Sequence, residues 1–269
     1  MNRLRRDLAP LSDAAWSQID DEANRTIKTF LAARRLVDFD GPKGWDFPGI
    51  STGGCGAIDS PAEGVDATTR QVRPMVELTV DFELSLEETD SVDRGSMSPD
   101  LSPVVEAARR IALAEDRLAF EGSSAAGITG IASGSPHRPV SIGDDYAKFT
   151  RQVAHAVAML RNSGVSGPYG LALGPRCYTG VVESTEHGGY PVLEHLRLVT
   201  GGPVVWAPGV EGSAVVSLRG GDFRLTVGGD LSIGYLAHTA TKVTLRLNET
   251  VTLSNDSPEA AVALRYSSG

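Results

Sequence analysis

Two short stretches of the chain carry residue types that could do chemistry. Residues 49–53 read Gly-Ile-Ser-Thr-Gly, a match to the GxSxG pattern that places a nucleophilic serine between a strand and a helix in serine hydrolases. Here Pro48 precedes the pattern and glycine-rich sequence follows it, so we expect neither a strand before Ser51 nor a helix after it. The match therefore does not predict a catalytic serine.

The second stretch, residues 220–235, reads GGDFRLTVGGDLSIGY and has the glycine density of a phosphate-binding loop. Such a loop needs its glycines directly before a helix, whose free N–H groups bind the anion. The segments FRLTV and LSIGY are strand-like instead. We therefore predict that Gly220-Gly221 and Gly228-Gly229 lie in hairpin turns, with backbone conformations that glycine adopts readily.

The other titratable residues form no recognisable site in the sequence. They are an acidic run (Glu83, Glu87, Glu88, Asp90 and Asp93), five histidines (His137, His155, His187, His195 and His238) and two cysteines (Cys55 and Cys177). An acidic run can bind metal, but it is more often a solvated face. The histidine spacing puts no two on one helical face, and the cysteines form no CxxC pair. We predict no catalytic residue, no metal site and no cofactor.

The composition disfavours several classes of partner. The chain has 269 residues, 41% of them hydrophobic, which is enough for a core in one large domain or two small ones. Its net charge of -9 argues against a nucleic-acid partner, because phosphate binding needs clustered Lys and Arg. No apolar run is long enough to span a membrane, and none follows the N-terminal arginines as in a secretory signal. Two scattered cysteines fit a reducing cytoplasm, where we expect the protein to be.

Hydrophobic periodicity predicts both helices and strands, and therefore an α+β fold. Apolar residues three and four positions apart predict helices within residues 11–35, 102–121 and 146–164. Strict alternation predicts a half-buried strand at residues 76–84, and the sequence after Ser213 is almost entirely strand-like.

Local signals refine two of these regions. Ser102 is the expected N-cap of the second helix, Pro103 suits its first turn, and Gly122 suits the position after its end. Residues 38–64 are so rich in Gly and Pro that we expect a long arm or irregular loop there. Such an arm is expected to gain its order from a neighbouring copy of the chain.

Several motifs together resemble one known family. The segments RRLVDFDGPKGW, AEDRLAFEG, YTGVVESTEHGGYPVLEHL and RGGDFRLTVGGDLSIGY, spread over nearly the whole chain, resemble type 1 encapsulin shell proteins, the linocin-like family. This resemblance implies the HK97-type phage-capsid fold, with a P-domain, an A-domain and an E-loop. The implied divisions are an N-terminal helix and arm at 1–40, the E-loop at 41–75, the P-domain strand and spine helix at 76–135, the A-domain at 136–222, and P-domain return strands at 223–269.

The resemblance also implies a function. It predicts a shell subunit that assembles with itself into a hollow icosahedral particle of the T=1 class. The particle would enclose an iron-storing ferritin-like protein or a dye-decolorising peroxidase, bound through a C-terminal loading peptide. Two alternatives are a serine protease or bacteriocin-like enzyme, and a capsid remnant that packages DNA. The absence of a clustered nucleophile and base disfavours the first, and the acidic balance disfavours the second.

Two sets of residues match functional positions of that family. The cargo-peptide positions are Ile27, Phe30, Leu31, Arg34, Leu36, Asp38, Asp230, Ile233 and Tyr235, and the five-fold pore loop is Glu186, His187, Gly188, Gly189 and Tyr190. The apolar members could instead pack the first helix on its own subunit. We expect both roles, with Ile27 partly buried and partly shared, and we expect Ile27→Asp to empty an intact shell. The position where some relatives bind flavin through a tryptophan is Glu87, so we predict no flavin.

Overall fold

A computed structural model describes residues 3–186 and 188–267, and it confirms the mixed α+β fold. Its helices are α1 (Asp13–Phe30), α2 (Leu86–Asp93), α3 (Ser102–Glu121), α4 (Phe149–Asn162), α5 (Pro175–Glu183) and α6 (Val192–Thr200). Its strands are β1 (Asp38–Asp40), β2 (Gly49–Ile58), β3 (Ala67–Pro74), β4 (Val76–Ser85), β5 (Gly122–Ser123), β6 (Ile128–Thr129), β7 (Val140–Ile142), β8 (Tyr169–Leu173), β9 (Val204–Trp206), β10 (Ser213–Ser217), β11 (Phe223–Val227), β12 (Ser232–His238), β13 (Lys242–Asn255) and β14 (Ala261–Tyr266).

Strand β13 is the centre of the first sheet. It pairs antiparallel with β4 on one side, and with β11 and then β12 on the other, while β1 adds to β11 in parallel. The apolar side chains of β4 alternate with exposed polar ones, as its sequence predicts. They pack against α1 and the first half of α3, so one face of the sheet is covered by two helices.

The second sheet has the strand order β7-β14-β10-β8-β9 and packs against α4 and α6. Its C-terminal strand β14 lies between β7 and β10, whereas β11, β12 and β13 belong to the first sheet. The reason is its burial pattern, since residues 261–264 are all buried between β7 and β10. A strand buried on both faces belongs in the middle of a covered sheet.

The spine helix α3 begins differently from the expectation. Leu101 is the N-cap, so the prediction that Ser102 caps the helix is wrong; the Ser102 N–H instead donates to Oδ1 of Asp100 at 3.0 Å. The helix ends as predicted at Gly122, whose φ of 76° favours glycine. A Cβ at this position would lie 2.4 Å from the carbonyl oxygen of Ile128.

The Gly/Pro-rich segment forms an arm with regular strand pairing rather than an irregular loop. Strands β2 and β3 pair antiparallel in a two-stranded ribbon, which we call the β-ribbon (residues 49–74). Glycine and proline exclude a central strand but not an isolated pair, whose outer edges need no hydrogen-bond donors. The structure describes this whole stretch, and no residue in either strand of the β-ribbon is buried.

Candidate functional site

The structure brings two of the expected cargo-binding residues together at a cleft between α1 and β12. The cleft has a volume of about 240 Å³ and is lined by Arg6, Asp20, Ala23, Asn24, Ile27, Leu231, Ser232, Ile233 and Leu247. Ile27 and Ile233 lie at its floor and are only 7% and 2% exposed. They therefore pack α1 onto the sheet within the subunit, and only a small part of Ile27 faces the cleft.

Arg6 holds the two walls of this cleft together. Its two Nη atoms donate to the carboxylate of Asp20 on α1, each at 2.7 Å, and its Nε donates to the carbonyl oxygen of Ile233 on β12 at 2.8 Å. The guanidinium also lies over the Trp16 ring, 4.3 Å from its centroid. Sequence reasoning treated Arg6 only as part of an N-terminal charge run. Arg6 and Asp20 are opposite charges 14 residues apart in the sequence. Such a separation predicts no contact until the position of α1 is known.

Arg34 is the centre of a group of carboxylates. Its Nη2 donates to Oε2 of Glu115 at 2.8 Å and to Oε1 of Glu249, and its Nη1 donates to Oδ1 of Asp230 at 3.0 Å. Burial alone would lower the pKa of the guanidinium, but the hydrogen bonds and charges of these three acids outweigh it and raise the pKa. The side chain that the family motif assigns to peptide binding is thus already committed to ion pairs within its own subunit.

A bulge in the first sheet places Asp230 beside Arg34. Strands β11 and β12 follow one another along the same edge of β13, and residues 228–231 lie between them opposite Glu249 and Thr250. Gly228 N donates to the Thr250 carbonyl at 2.9 Å, and Thr250 N donates to the Gly229 carbonyl at 2.9 Å. The predicted hairpin turn at Gly228-Gly229 is therefore wrong, because the glycines interrupt one long strand rather than connect two neighbours.

The other glycine pair of the stretch also departs from the prediction. Gly220 and Gly221 have φ values of 84° and 80°, as expected of a tight turn, but they connect β10 and β11, which belong to different sheets. The Gly221 N–H donates to Oδ2 of Asp38 at 2.6 Å. Asp38, an expected cargo-binding residue, is exposed. Its carboxylate holds the backbone where the chain passes from the second sheet to the first.

Two acids of α3 were missed by sequence reasoning. Glu115 and Asp116 are 1% and 0% exposed, and Asp116 accepts hydrogen bonds from the N–H groups of Ala32 and Ala33 at 2.9–3.1 Å. These bonds cap the short 3₁₀ turn Ala33–Arg35. The signal available was an adjacent acidic pair in the apolar stretch IALAEDRLAF, where burial demands a partner.

The remaining members of the expected peptide site are spread around this region. Leu31 and Leu36 are buried in different apolar clusters, and the Phe30 ring lies 5.2 Å from the Trp206 ring. Tyr235 is half-buried on β12, with its hydroxyl 2.6 Å from Nδ1 of His238. The structure thus places the set along α1, the 3₁₀ turn and the bulged strand, without a single continuous pocket.

The loop before α6 is closed by its own backbone. Glu186 N donates to the Tyr190 carbonyl and Gly189 N to the Glu186 carbonyl, both at 2.9 Å, while Gly188 and Gly189 have positive φ. Oε1 of Glu186 lies 2.9 Å from Nδ1 of His195 on α6. His187 lies outside the described residues.

The described residues give little support for a catalytic serine, a metal site or a membrane span. Ser51 lies inside β2, cross-strand from Val72, so no strand-to-helix turn carries it, although a strand does form there, contrary to expectation. Within residues 3–186 and 188–267, no three His, Cys, Asp or Glu side chains are arranged to hold a metal ion. No helix in the described part of the chain is both long and apolar enough to cross a bilayer.

Comparison with known proteins agrees with this architecture. The family model described as "Encapsulating protein for peroxidase" matches residues 1–252. The type 1 encapsulin shell protein of Rhodospirillum rubrum is 48% identical over 98% of this chain and 97% of its own. That of Mycobacterium tuberculosis is 44% identical over 99% of this chain and 100% of its own.

Solved structures show the same fold at low sequence identity. The virus-like particle from Pyrococcus furiosus aligns with a TM-score of 0.66 at 18% identity, over 94% of this chain and 98% of its own. The capsid of an empty GTA particle aligns with a TM-score of 0.54 at 14% identity, over 88% and 96%. The chain therefore belongs to the type 1 encapsulin shell proteins, has the HK97-type capsid fold, and is a structural shell protein rather than an enzyme.

Proposed function

We propose that this shell protein assembles with itself into a closed icosahedral compartment of the T=1 class in the cytoplasm, and that the compartment holds a cargo enzyme. The observation that carries the proposal is the β-ribbon, which extends from a capsid-type subunit without a core of its own. It exposes apolar side chains at Ile58, Val65 and Val72. Surface of this kind is buried most simply by another copy of the same chain.

A groove on the same subunit can receive the β-ribbon of a second copy. It has a volume of about 1200 Å³ and lies between β4, α3 and the start of α5. Its floor includes half-buried Val76 and Leu78, and its rim carries Glu121 paired with Arg265 at 2.5 Å. An apolar floor with a charged rim is the usual anatomy of a protein interface.

The cargo is proposed to be an iron-storing ferritin-like protein or a dye-decolorising peroxidase that carries a C-terminal loading peptide. The matched family model names a peroxidase as the enclosed protein, which favours the second class. The cleft between α1 and β12 is the proposed anchor for the peptide. Half-buried Leu231 and the exposed edge of Ile27 offer an apolar surface, while Asp20 and Asn24 provide polar groups beside it.

The structure changes the variant that best tests this anchor. Ile27 is 7% exposed, so Ile27→Asp would bury a charge in the subunit core and weaken folding as well as cargo binding. Leu231→Asp instead places the charge on the wall of the cleft, in the bulge before β12. Leu236→Asp, on β12 itself and outside the cleft, is the matched control. The probe is a fluorescent protein fused to the C-terminal segment of the enzyme that copurifies with native particles.

We expect Leu231→Asp particles to form normally and to lose at least tenfold of the fluorescence retained per particle. The Leu236→Asp control is expected to load as the unmodified shell does. Fluorescence per particle after gel filtration measures both. Full loading of the Leu231→Asp shell would show that the peptide binds elsewhere.

Residues 186–190 are proposed to line a pore at the five-fold axis. The closed backbone of the loop and its exposed Tyr190 support this placement, since a short, exposed loop at the tip of the second sheet's helices can meet its symmetry copies. A density map of the purified particle checks it. A loop found away from the axis would contradict the assignment.

A further inference from the structure

Four carboxyl groups and one guanidinium meet where the chain leaves α1. Glu115 and Asp116 come from α3, Arg34 from the 3₁₀ turn, Glu249 from β13, and Asp230 from the bulge before β12. With every group ionised, these residues would carry four negative charges against one positive charge. Burial makes such an imbalance unfavourable, so the group is stable only if some of its acids keep a proton.

Glu115 and Glu249 are the two acids of this group that share one donor atom. Both accept a hydrogen bond from the same atom, Nη2 of Arg34, and they are 1% and 0% exposed. The second oxygen of Glu249, Oε2, accepts no hydrogen bond from any residue that the structure describes. Two buried carboxylates that share one cation each disfavour the charge of the other. Burial first, and the charge of Glu115 second, raise the pKa of Glu249 well above its ordinary value.

Asp116 occupies the other side of the 3₁₀ turn. Its carboxylate holds the N–H groups of Ala32 and Ala33, and Gly209 packs so closely on it that a Cβ there would lie 2.8 Å from the Asp116 Cβ. Burial raises the pKa of Asp116 to about 7, although the two backbone hydrogen bonds oppose the change. Burial therefore disfavours the charged form of two acids beside the 3₁₀ turn, Asp116 and Glu249.

We propose that Glu115, Glu249, Asp230, Asp116 and Arg34 form a proton-operated lock between the segment after α1 and the α3–β13 core. The lock is closed while Glu249 keeps its proton, because Arg34 then faces fewer buried negative charges. When Glu249 loses that proton, repulsion between its carboxylate and that of Glu115 separates Arg34 from one of them and releases the 3₁₀ turn. This role does not rest on the proposed peptide anchor at the cleft or on the pore.

The direction of the pH dependence follows from the raised carboxyl pKa values. A carboxyl group whose pKa is higher in the folded than in the unfolded chain stabilises the fold most at pH values below its ordinary pKa. That stabilisation is lost as the pH rises through the raised value, which is about 7 for Asp116 and well above the ordinary carboxyl range for Glu249. The lock therefore opens on the alkaline side.

Hydrogen exchange in assembled particles tests the lock. It is read at the Ala32 and Ala33 amides from just below neutral pH, where Asp116 begins to ionise, into the alkaline range. Glu249→Gln keeps the shape of the side chain but removes its titration. Glu77→Gln on β4, an exposed glutamate opposite Thr250, is the matched control. If opening of the 3₁₀ turn releases one proton, the fraction of open molecules rises about tenfold per pH unit. This rise adds to the intrinsic increase of amide exchange with pH.

We expect this additional rise in full in the unmodified protein and in Glu77→Gln. In Glu249→Gln we expect only the smaller part that Asp116 contributes near pH 7. An equal rise in Glu249→Gln would overturn the proposal, as would an unmodified protein whose two amides follow intrinsic exchange alone. If Glu249→Gln does not fold, Glu115→Gln removes the carboxylate charge that opposes ionisation of Glu249, and a rise unchanged from that of the unmodified protein would overturn the proposal.

Discussion

Two antiparallel strand pairs of this molecule have similar lengths and opposite surroundings. In the pair β4–β13, one face packs against α1 and α3, and the other carries ion pairs such as Asp81 with Arg246 at 2.6 Å. In the β-ribbon, no residue of β2 or β3 is buried, and the structure describes all of them. Backbone pairing alone thus sets the shape of a ribbon. It does not stabilise one, because an isolated hairpin is marginal in water.

This difference indicates where each pair gains its stability. The β4–β13 pair gains it from the hydrophobic core of its own subunit, so it should depend little on assembly. The β-ribbon has exposed apolar residues and a regular hydrogen-bond register interrupted by a bulge after Ser51. We therefore expect it to gain its stability from a surface outside its own subunit.

Removal of the β-ribbon should have the largest effect. Gly49 and Pro74 are cross-strand partners, so a short turn can replace the residues between them. We expect a folded subunit with unchanged circular dichroism per residue outside the ribbon, and a complete loss of particles. Gel filtration with light scattering measures the loss. Particles of normal size from this variant would show that the β-ribbon is not the element that joins copies.

A core truncation in β4 should have an intermediate effect on the subunit itself. Leu84 is 1% exposed and packs in the cluster formed with α1 and α3. Leu84→Ala is expected to lower the free energy of unfolding by about 2–5 kcal/mol, since it leaves a cavity. Leu84→Met, which keeps the volume, should cost less than about 1.5 kcal/mol. Chemical unfolding followed by tryptophan fluorescence compares them, and equal losses for both would argue against a tightly packed site.

The smallest effect on the subunit is expected in the β-ribbon. Val72 is 62% exposed on β3, and Val72→Ala should change the free energy of unfolding of the free subunit by less than about 0.5 kcal/mol. The same change should lower the temperature at which particles dissociate, because the lost methyl groups lie in the proposed contact between copies. Scanning calorimetry and light scattering separate the two. A large loss in the free subunit would mean that the β-ribbon folds back on its own chain.

Much of the fold was readable from periodicity. The alternation in residues 76–84 predicts β4, and the apolar spacing predicts α1, α3 and α4, because one-sided burial leaves a period of two or of about three and a half in the sequence. The β-ribbon was missed because the signal for strands is burial, and this pair has none. The bulge at Gly228-Gly229 was read as a hairpin because local turn chemistry does not reveal which strands are neighbours.

The candidate site was readable only in part. Family motifs point to Arg34 and Asp230, and the structure joins them, but it also adds Glu115 and Glu249, which are far away in sequence. The cleft of Arg6, Asp20 and Ile233 likewise depends on three separate segments.

The sequence by itself determined the α+β class, the family and the principal helices, since these depend on residue spacing and on motifs that are continuous along the chain. Only the tertiary structure decided the strand order, the β-ribbon and the environment of the buried acids. The physical reason is that burial and ion pairing depend on distances between segments far apart in the chain. An acidic residue such as Glu249 has the same identity in either environment, but its charge is costly only where the fold excludes water.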